Sequence, residues 1–399
     1  MGYEKSRQLE DEERGYRSIN KFVCADCVDD EYLRQLIRQE GADGECDYCS
    51  ATELKGVLNV DAIMPCVAAA MFRESDNPAR AGVPRDEGEY IVPTFPTSTA
   101  LMFTGLDCDL QLFNDIADAF VNDEWTLSYG GSWLGTQPSQ ELSSLWEEFV
   151  QAIKHRTRFF FREEGGSDTS ERPHQILERI YRSVVRAGLI RSIESGTSLY
   201  RCRLRNVTDN WEIDKDTLGP PPESRASAGR MNPAGIAYLY TGRERSTALG
   251  EVVGRPPFCV VVGTFETTRA LHIVDLSNLP TPPSAFDESR LEERETLLFL
   301  WKFAGEISQP IGKDGAEHVD YVPSQVVCEY FAQVVNVNPS EHEPIDGLCY
   351  PSAVMQEGRN LVLFPTDRTY TGVFEQVKFT KGEKVNIDDW QELIRELKE

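Results

Sequence analysis

The sequence is as informative for what it lacks as for what it holds. No stretch of about 18 consecutive apolar residues occurs, and a bilayer-spanning helix needs at least that, so no transmembrane helix is expected. The opening residues Met1–Glu13 are charged and carry no apolar core, unlike a secretory signal. Basic residues are in short supply: 41 Lys and Arg stand against 66 Asp and Glu, a net charge of −25. Such a chain repels phosphate backbones at long range. Neither nucleic acid nor a membrane is therefore an expected partner, whereas the charge serves solubility or attracts a basic partner. The Gly-x4-Gly-Lys-Ser/Thr phosphate loop and the Gly-x-Gly-x-x-Gly dinucleotide fingerprint are absent, which argues against those two nucleotide-binding classes. The Gly-x-Ser-x-Gly nucleophile elbow is absent too. There is no internal repeat and no low-complexity tract.

What is present fills more than one domain. A chain of 399 residues, 40% apolar and 27% charged, has enough material for two cores. Its ten cysteines include two Cys-x-x-Cys knuckles, Cys24/Cys27 and Cys46/Cys49, with eighteen residues between them. That spacing is a four-cysteine zinc pattern, because a two-residue gap lets both thiolates reach one tetrahedral ion. A disulfide pair or free thiols are the alternatives. Four protein ligands leave no open position, so the expected zinc is structural. The remaining cysteines are scattered and read as small buried apolar residues. With this cysteine usage and no signal, the expected compartment is the cytoplasm.

The fold class expected is α+β. Residues 1–51 form a zinc-binding segment whose internal helix places Tyr32, Leu33 and Leu36 on one side. Residues 52–165 read as mainly helical. Leu110–Asn122 has helical spacing, and Leu142, Trp146, Phe149, Val150 and Ile153 make a clear stripe. Residues 84–106, rich in Pro, Thr and Gly, read as short strands or an extended loop. Residues 166–194 are a linker and connecting helix, the linker centred on Glu163–Pro173 and the helix carrying Ile176, Ile180, Val184 and Val185. Residues 195–385 hold strands at Leu199–Leu204, Gly235–Tyr240, Phe258–Thr264, Ala270–Val274 and Leu361–Phe364, with a helix starting after Pro323. Residues 386–399 form an amphipathic helix capped by Asp388, with Trp390, Leu393, Ile394 and Leu397 docking onto the body.

The densest chemistry lies in residues 229–251. Gly229 and Gly235 allow sharp turns or close backbone approach. Arg230 offers a fork of donors suited to phosphate oxygens, although a surface arginine or an internal ion pair would look the same. In the following strand the pleat puts Ile236, Tyr238 and Tyr240 on one face and Ala237 and Leu239 on the other. Tyr240, nearest the strand end, can leave the core and cover a ligand ring; a core tyrosine is the alternative. A helix starting at Ser246 or Thr247 buries Ala248, Leu249, Val252 and Val253, which leaves Glu251 free to point at the strand end or into solvent.

Taken together, Gly229-Arg230-Met231-Asn232, the strand ending in Tyr240 and Ala248-Leu249-Gly250-Glu251 resemble the RES domain, a family of NAD-consuming enzymes often found as toxins. The opening strand Leu199-Tyr200-Arg201-Cys202-Arg203, the segment Asp320–Gln325 with Glu329, and Asp346-Gly347-Leu348-Cys349-Tyr350-Pro351-Ser352 followed by Asn360–Phe364 continue the resemblance. It covers about residues 195–380, roughly half the chain. Ser324 stands where the family pattern has threonine and keeps the hydroxyl. The resemblance implies a fold related to ADP-ribosyltransferases and a catalytic set of Arg230, Tyr240, Glu251 and Ser352. Arg230 would hold the NAD pyrophosphate, Tyr240 would orient the nicotinamide nucleoside and Glu251 would contact the ribose. Ser352 would bond the ribose or the nicotinamide amide. Arg201, Asn232 and Tyr238 are further substrate-binding candidates.

The implied reaction is cleavage of the nicotinamide glycosidic bond of NAD+ by phosphorolysis or hydrolysis, with inorganic phosphate or water as acceptor. NAD+ is then a consumed substrate, and zinc is the structural cofactor. The role implied is a toxin or defence effector restrained by an antitoxin or regulator protein. Two alternatives stay open: an ADP-ribosyltransferase acting on a macromolecule, and a non-catalytic interaction protein acting through the helical half. The zinc-knuckle and helical front half resembles the HEPN-like regions attached to some RES proteins. HEPN ribonucleases use an arginine followed, after four to six intervening residues, by a histidine. None of His155, His174, His272, His318 or His342 has that arginine, so a regulatory or docking role is expected there.

Overall fold

The computed structural model describes residues 2–49, 51, 54–158, 173–205, 212–309, 317–335, 344–365 and 374–398. Residues 163–172 of the expected linker lie outside the described residues. The protein is α+β and divides into two compact units, Met1–Glu141 with Pro282–Glu295, and Leu142–Thr281 with Thr296–Glu399.

The first unit is built around the cysteine region. Strand Phe22–Cys24 pairs antiparallel with Leu54–Asn59, which pairs in turn with Ala42–Gly44. The helix Glu31–Glu40 begins at Asp30, whose side chain accepts from the Leu33 N–H and so satisfies a free donor at the helix end. Leu33 and Ile37 are fully buried, and Tyr32 and Leu36 pack partly against the same core. Helices Met64–Glu74, Thr97–Phe103 and Leu110–Ala119 add Met64, Met71, Leu101, Leu112 and Ile116 to it, around the buried ring of Trp125.

Residues 84–106 contain the short strands expected, but also the helix Thr97–Phe103. Locally, Pro and Thr favour extended chain. Burial of Ala100 and Leu101 overrides that preference. Thr97 reinforces it: its hydroxyl donates to the Asn122 carbonyl at 2.8 Å and accepts from the Trp125 indole at 3.0 Å.

The second unit is organised on one mixed sheet of eight strands. In chain order these are β1 (Ile190–Ile193), β2 (Ser198–Arg205), β3 (Leu239–Gly242), β4 (Phe258–Thr267), β5 (Leu271–Asp275), β6 (Gly347–Pro351), β7 (Arg359–Leu363) and β8 (Val377–Ile387). Their order across the sheet is β8-β4-β2-β3-β7-β6-β5-β1, antiparallel throughout except for the parallel pair β5–β6. Successive side chains alternate between faces. Tyr238, Leu348, Tyr350 and Val362 therefore join one core cluster, and Leu199, Leu239, Cys349, Leu361 and Leu363 join another.

The first of these clusters is roofed by helices. The stripe Leu142, Trp146, Phe149 and Ile153 of helix Pro138–His155 is buried as its spacing indicated, and Val150 packs partly against it. The Trp146 ring sits 5.1 Å from Phe303, and its indole N–H donates to Glu306 at 2.7 Å. Ile176, Ile180 and Val184 of helix Pro173–Arg186 enter the same cluster.

Several local expectations are corrected. The strand expected at Gly235–Tyr240 runs over Leu239–Gly242, because Gly235, with φ of 86°, turns the chain and donates to the Ala226 carbonyl. Strands β1, β6 and β8 were not expected; β8 is a sheet edge whose solvent-facing half is polar. The last helix is Trp390–Glu396, and its cap is Asp389, not Asp388: the Asp389 side chain accepts from the Gln391 and Glu392 N–H groups. Leu393 and Leu397 face the body. Trp390 and Ile394, at 58% and 52% exposure, do not dock.

One irregularity of the sheet positions the site. β2 pairs with β4 along its full length, and β3 pairs with β7 along its full length. Between β2 and β3 the register holds at the single pair Tyr200–Gly242. Beyond that rung the two strands part.

Candidate functional site

In the first unit, Cys24 ends a strand, Cys27 closes a short turn, and Cys46 and Cys49 lie in the loop before Leu54–Asn59. Three are buried and Cys49 is half-buried, and the four Sγ atoms lie within 4.8 Å of one another. Cys24 is 3.7 Å from Cys27 and 3.6 Å from Cys49, and Cys27 is 3.7 Å from Cys46. A tetrahedral zinc with bonds of about 2.3 Å sets its sulfurs about 3.8 Å apart. The cluster fits that geometry, and all ten cysteines are free of disulfides. These residues could hold a metal such as zinc, with no coordination position left over.

In the second unit, a cavity of about 310 Å³ lies at the parting of β2 and β3. Tyr200, Arg201 and Cys202 line it from β2, and Tyr240, Thr241 and Gly242 from β3. Glu251, Tyr350 and Asn360 complete the wall that carries its chemistry. Its volume is at the lower end of small-molecule sites, roughly 300–1,000 Å³, enough for a nucleoside-sized fragment. A larger hollow of about 860 Å³ runs along helix Pro138–His155. Glu147, Glu148 and Glu306 outnumber Arg156 on its lining, a balance unfavourable to a phosphorylated ligand.

The loop before β3 is held by an unusually complete set of bonds. Asn232 is buried, and its amide donates to the carbonyls of Ser227, Pro233 and Ile236 at 2.7–3.0 Å. Its Oδ1 accepts from the Tyr240 hydroxyl at 2.7 Å, and that hydroxyl accepts in turn from the Met231 N–H at 2.9 Å. A side chain on Gly229 would place its Cβ 2.6 Å from Asn232 Oδ1 and 2.8 Å from the Tyr240 hydroxyl, so this glycine is required for closeness. From the helix Val322–Glu329, Ser324 donates to the Arg230 carbonyl, and Gln325 donates to the carbonyls of Gly229 and Asn232 at 2.8 and 3.0 Å. The Asp320–Gln325 motif thus serves as a clamp on the arginine loop.

Within this frame Arg230 does not line the cavity. Its Nη1 donates to the carbonyl of Ser308 at 2.5 Å, at the end of helix Leu291–Ser308 where carbonyls lack partners. Its charge still reaches the site: burial pushes the Tyr350 phenol up, Arg230 pulls it down and Glu251 raises it. Tyr238 is buried in the core, its ring 5.1 Å from Phe364. Tyr240 keeps its ring on the cavity wall, but both bonding functions of its hydroxyl are taken. Burial, with Tyr350 beside it, raises its phenol well above the ordinary value, so it remains a protonated donor.

Glu251 follows the last residue of the short helix Arg245–Gly250. Its Oε1 accepts from the Ser352 hydroxyl at 2.8 Å and from the Asn360 amide at 2.6 Å. Ser352 also accepts from the N–H groups of Val354 and Met355 at 3.2 and 3.1 Å, which fills its bonding capacity. Glycines bring the Ser352 loop close: a Cβ on Gly250 would meet Met355 Cγ at 2.6 Å, and one on Gly358 would meet Thr247 Oγ1 at 2.7 Å. Asn360 and Tyr350 were not singled out as site residues in the sequence. Both lie in or beside the segment that carries Ser352, and that proximity was the available signal.

Arg201 supplies the opposite charge. Its Nη1 is buried without a hydrogen-bond partner among the described residues. Burial first, and then the Arg203 guanidinium, push Arg201 down to about 9. It is therefore still a cation at neutral pH, half-buried, with its Nη1 out of water and without a partner among the described residues. That is costly unless an anion joins it.

Residues 39–167 match the HEPN/RES N-terminal domain 1, and residues 198–380 match the RES domain. Searches of curated proteins and of solved structures give no significant match. Among the described residues no helix is long and apolar enough to cross a membrane. The chain carries a HEPN/RES N-terminal domain 1 followed by a RES domain, a domain known for consuming NAD in toxins.

Proposed function

We propose that the second unit cleaves NAD+ at the nicotinamide glycosidic bond, by phosphorolysis or hydrolysis. The observation that carries this reading is the pairing, on one small cavity, of an anchored carboxylate (Glu251) with a guanidinium (Arg201) whose buried Nη1 has no partner among the described residues. A dinucleotide satisfies both, with its ribose against the carboxylate and a phosphate against the arginine. The C1′–N bond breaks with its electron pair passing to the pyridinium nitrogen, so nicotinamide leaves neutral and needs no acid. Positive charge develops on the ribose, and Glu251 stabilises it as carboxylates do in glycoside cleavage. Phosphate or water then adds at C1′, and a proton is lost to solvent when water is the acceptor.

The other residues take roles from their bonds. The Tyr240 ring covers the nicotinamide nucleoside while its hydroxyl braces Asn232. Asn232 shapes the loop and Tyr238 its core support. Ser352 acts on Glu251, its donor proton being spent there. Arg201 takes the first claim on the pyrophosphate, with Arg230 assisting from the Ser308 carbonyl. A structural zinc on Cys24, Cys27, Cys46 and Cys49 supports the first unit, where a regulatory or antitoxin-docking role fits the missing ribonuclease pair.

Incubating the purified chain with NAD+, with and without inorganic phosphate, tests the reading. Free nicotinamide with ADP-ribose supports hydrolysis, and free nicotinamide with a phosphorylated ADP-ribose supports phosphorolysis. NAD+ left intact under both conditions, or label carried onto a macromolecule, overturns it.

A further inference from the structure

We propose that Asn360 is the positioning residue that decides which oxygen of Glu251 meets the substrate; this rests on the role given to Glu251 above. A carboxylate can accept on both oxygens. Here both protein donors, Asn360 Nδ2 and Ser352 Oγ, converge on Oε1. Oε2 accepts from no group among the described residues, and Glu251 is an exposed side chain on the cavity wall. Oε1 is the anchor and Oε2 is the oxygen presented to the ribose.

The two donors are not equivalent. Ser352 belongs to the loop after β6 and is held there by its own turn. Asn360 is buried in β7, in register with Gly242 of β3 on one side and Tyr350 of β6 on the other. Glu251 itself stands at the end of a helix of six residues, a short support for a side chain that must be placed accurately. Asn360 gives that carboxylate a fixed post in the middle of the sheet. An error of about 1 Å at such a group costs about 100-fold in rate.

The test compares N360D and N360S with the unaltered chain, measuring kcat and KM for NAD+ from about pH 5 to pH 8. The introduced carboxyl of N360D matches the amide in shape but donates only when protonated, and a neighbouring carboxylate favours its protonated form. N360D is expected to lose about 100-fold in kcat near pH 8, with KM within a few fold, and to recover relative to the unaltered chain as pH falls. N360S, too short to reach Oε1, is expected to lose a similar factor at every pH. Should N360D not fold, N360S decides alone: lost kcat with preserved KM supports the proposal. Ordinary kcat in either variant near pH 8, or losses confined to KM, overturns it. If the unaltered chain leaves NAD+ intact, the functional reading fails instead, which is a distinct result.

Discussion

Tyr240 and Asn232 hold each other across the mouth of the arginine loop, the tyrosine hydroxyl donating to Asn232 Oδ1 at 2.7 Å. Tyr240→Phe keeps the ring on the cavity wall but strands Oδ1 and the Met231 N–H, both at the loop. The expected cost is about 1–3 kcal/mol of stability, measured by urea unfolding. Activity is expected to fall less than in Glu251→Gln, because the ring remains.

The clamp from Ser324 makes a graded prediction. Ser324→Ala removes the bond to the Arg230 carbonyl, with an expected loss of about 1 kcal/mol. Ser324→Thr keeps the hydroxyl and takes on the family's threonine, and is expected to stay close to the unaltered chain. Equal melting of all three proteins would show that the clamp carries no energy.

Arg201 sets stability against function. Arg201→Met replaces a half-buried cation, whose Nη1 has no partner among the described residues, by an apolar side chain of similar reach. Unfolding stability is expected to rise by about 1 kcal/mol while NAD+ turnover disappears. A variant that melts lower than the unaltered chain would mean that an internal anion already neutralises Arg201.

The cysteine cluster predicts metal content. Elemental analysis is expected to find about one zinc per chain and none in a Cys24→Ser, Cys27→Ser double variant. Removal by a chelator is expected to lower the melting temperature of the first unit, since binding energy at such a site is folding energy.

Glu244 gives a dependence on pH. Burial works to raise its pKa, but the Arg359 backbone N–H and guanidinium and the Thr247 hydroxyl outweigh it and hold the carboxyl below its usual value. A depressed folded-state pKa adds stability that is fully present above the unfolded value, about 4.3, and lost as pH falls through the folded value. The stability gap between the unaltered chain and Glu244→Gln is expected to be constant near neutral pH and to close in acid below about pH 4.

What could be read from the sequence was local. The two knuckles and the apolar stripe of Leu142 to Ile153 are short-range patterns, and both are reproduced in the fold; of the strand read around Tyr240, only Leu239 and Tyr240 are strand. Gly229 and Gly235 announced a tight loop, and the structure gives one reason for each. What escaped depended on register. Asn360 lies 109 residues from Glu251 in the chain, and only the pairing of β7 with β3 and β6 brings it there. Tyr238 and Tyr240 share a face, yet one packs on Phe364 and the other borders a cavity, because the sheet parts beside Tyr240. Likewise β8, whose Lys and Glu residues suit a solvent-facing edge, gives little apolar signal.

The single rung between Tyr200 and Gly242 has a mechanical consequence. Three strands stand on one side of it and five on the other, joined along this line by little backbone bonding. A dinucleotide seated in the seam would act as the missing rungs, stitching two slabs into one. Product departure would undo the stitch, so each turnover would stiffen and then relax the sheet along the same line.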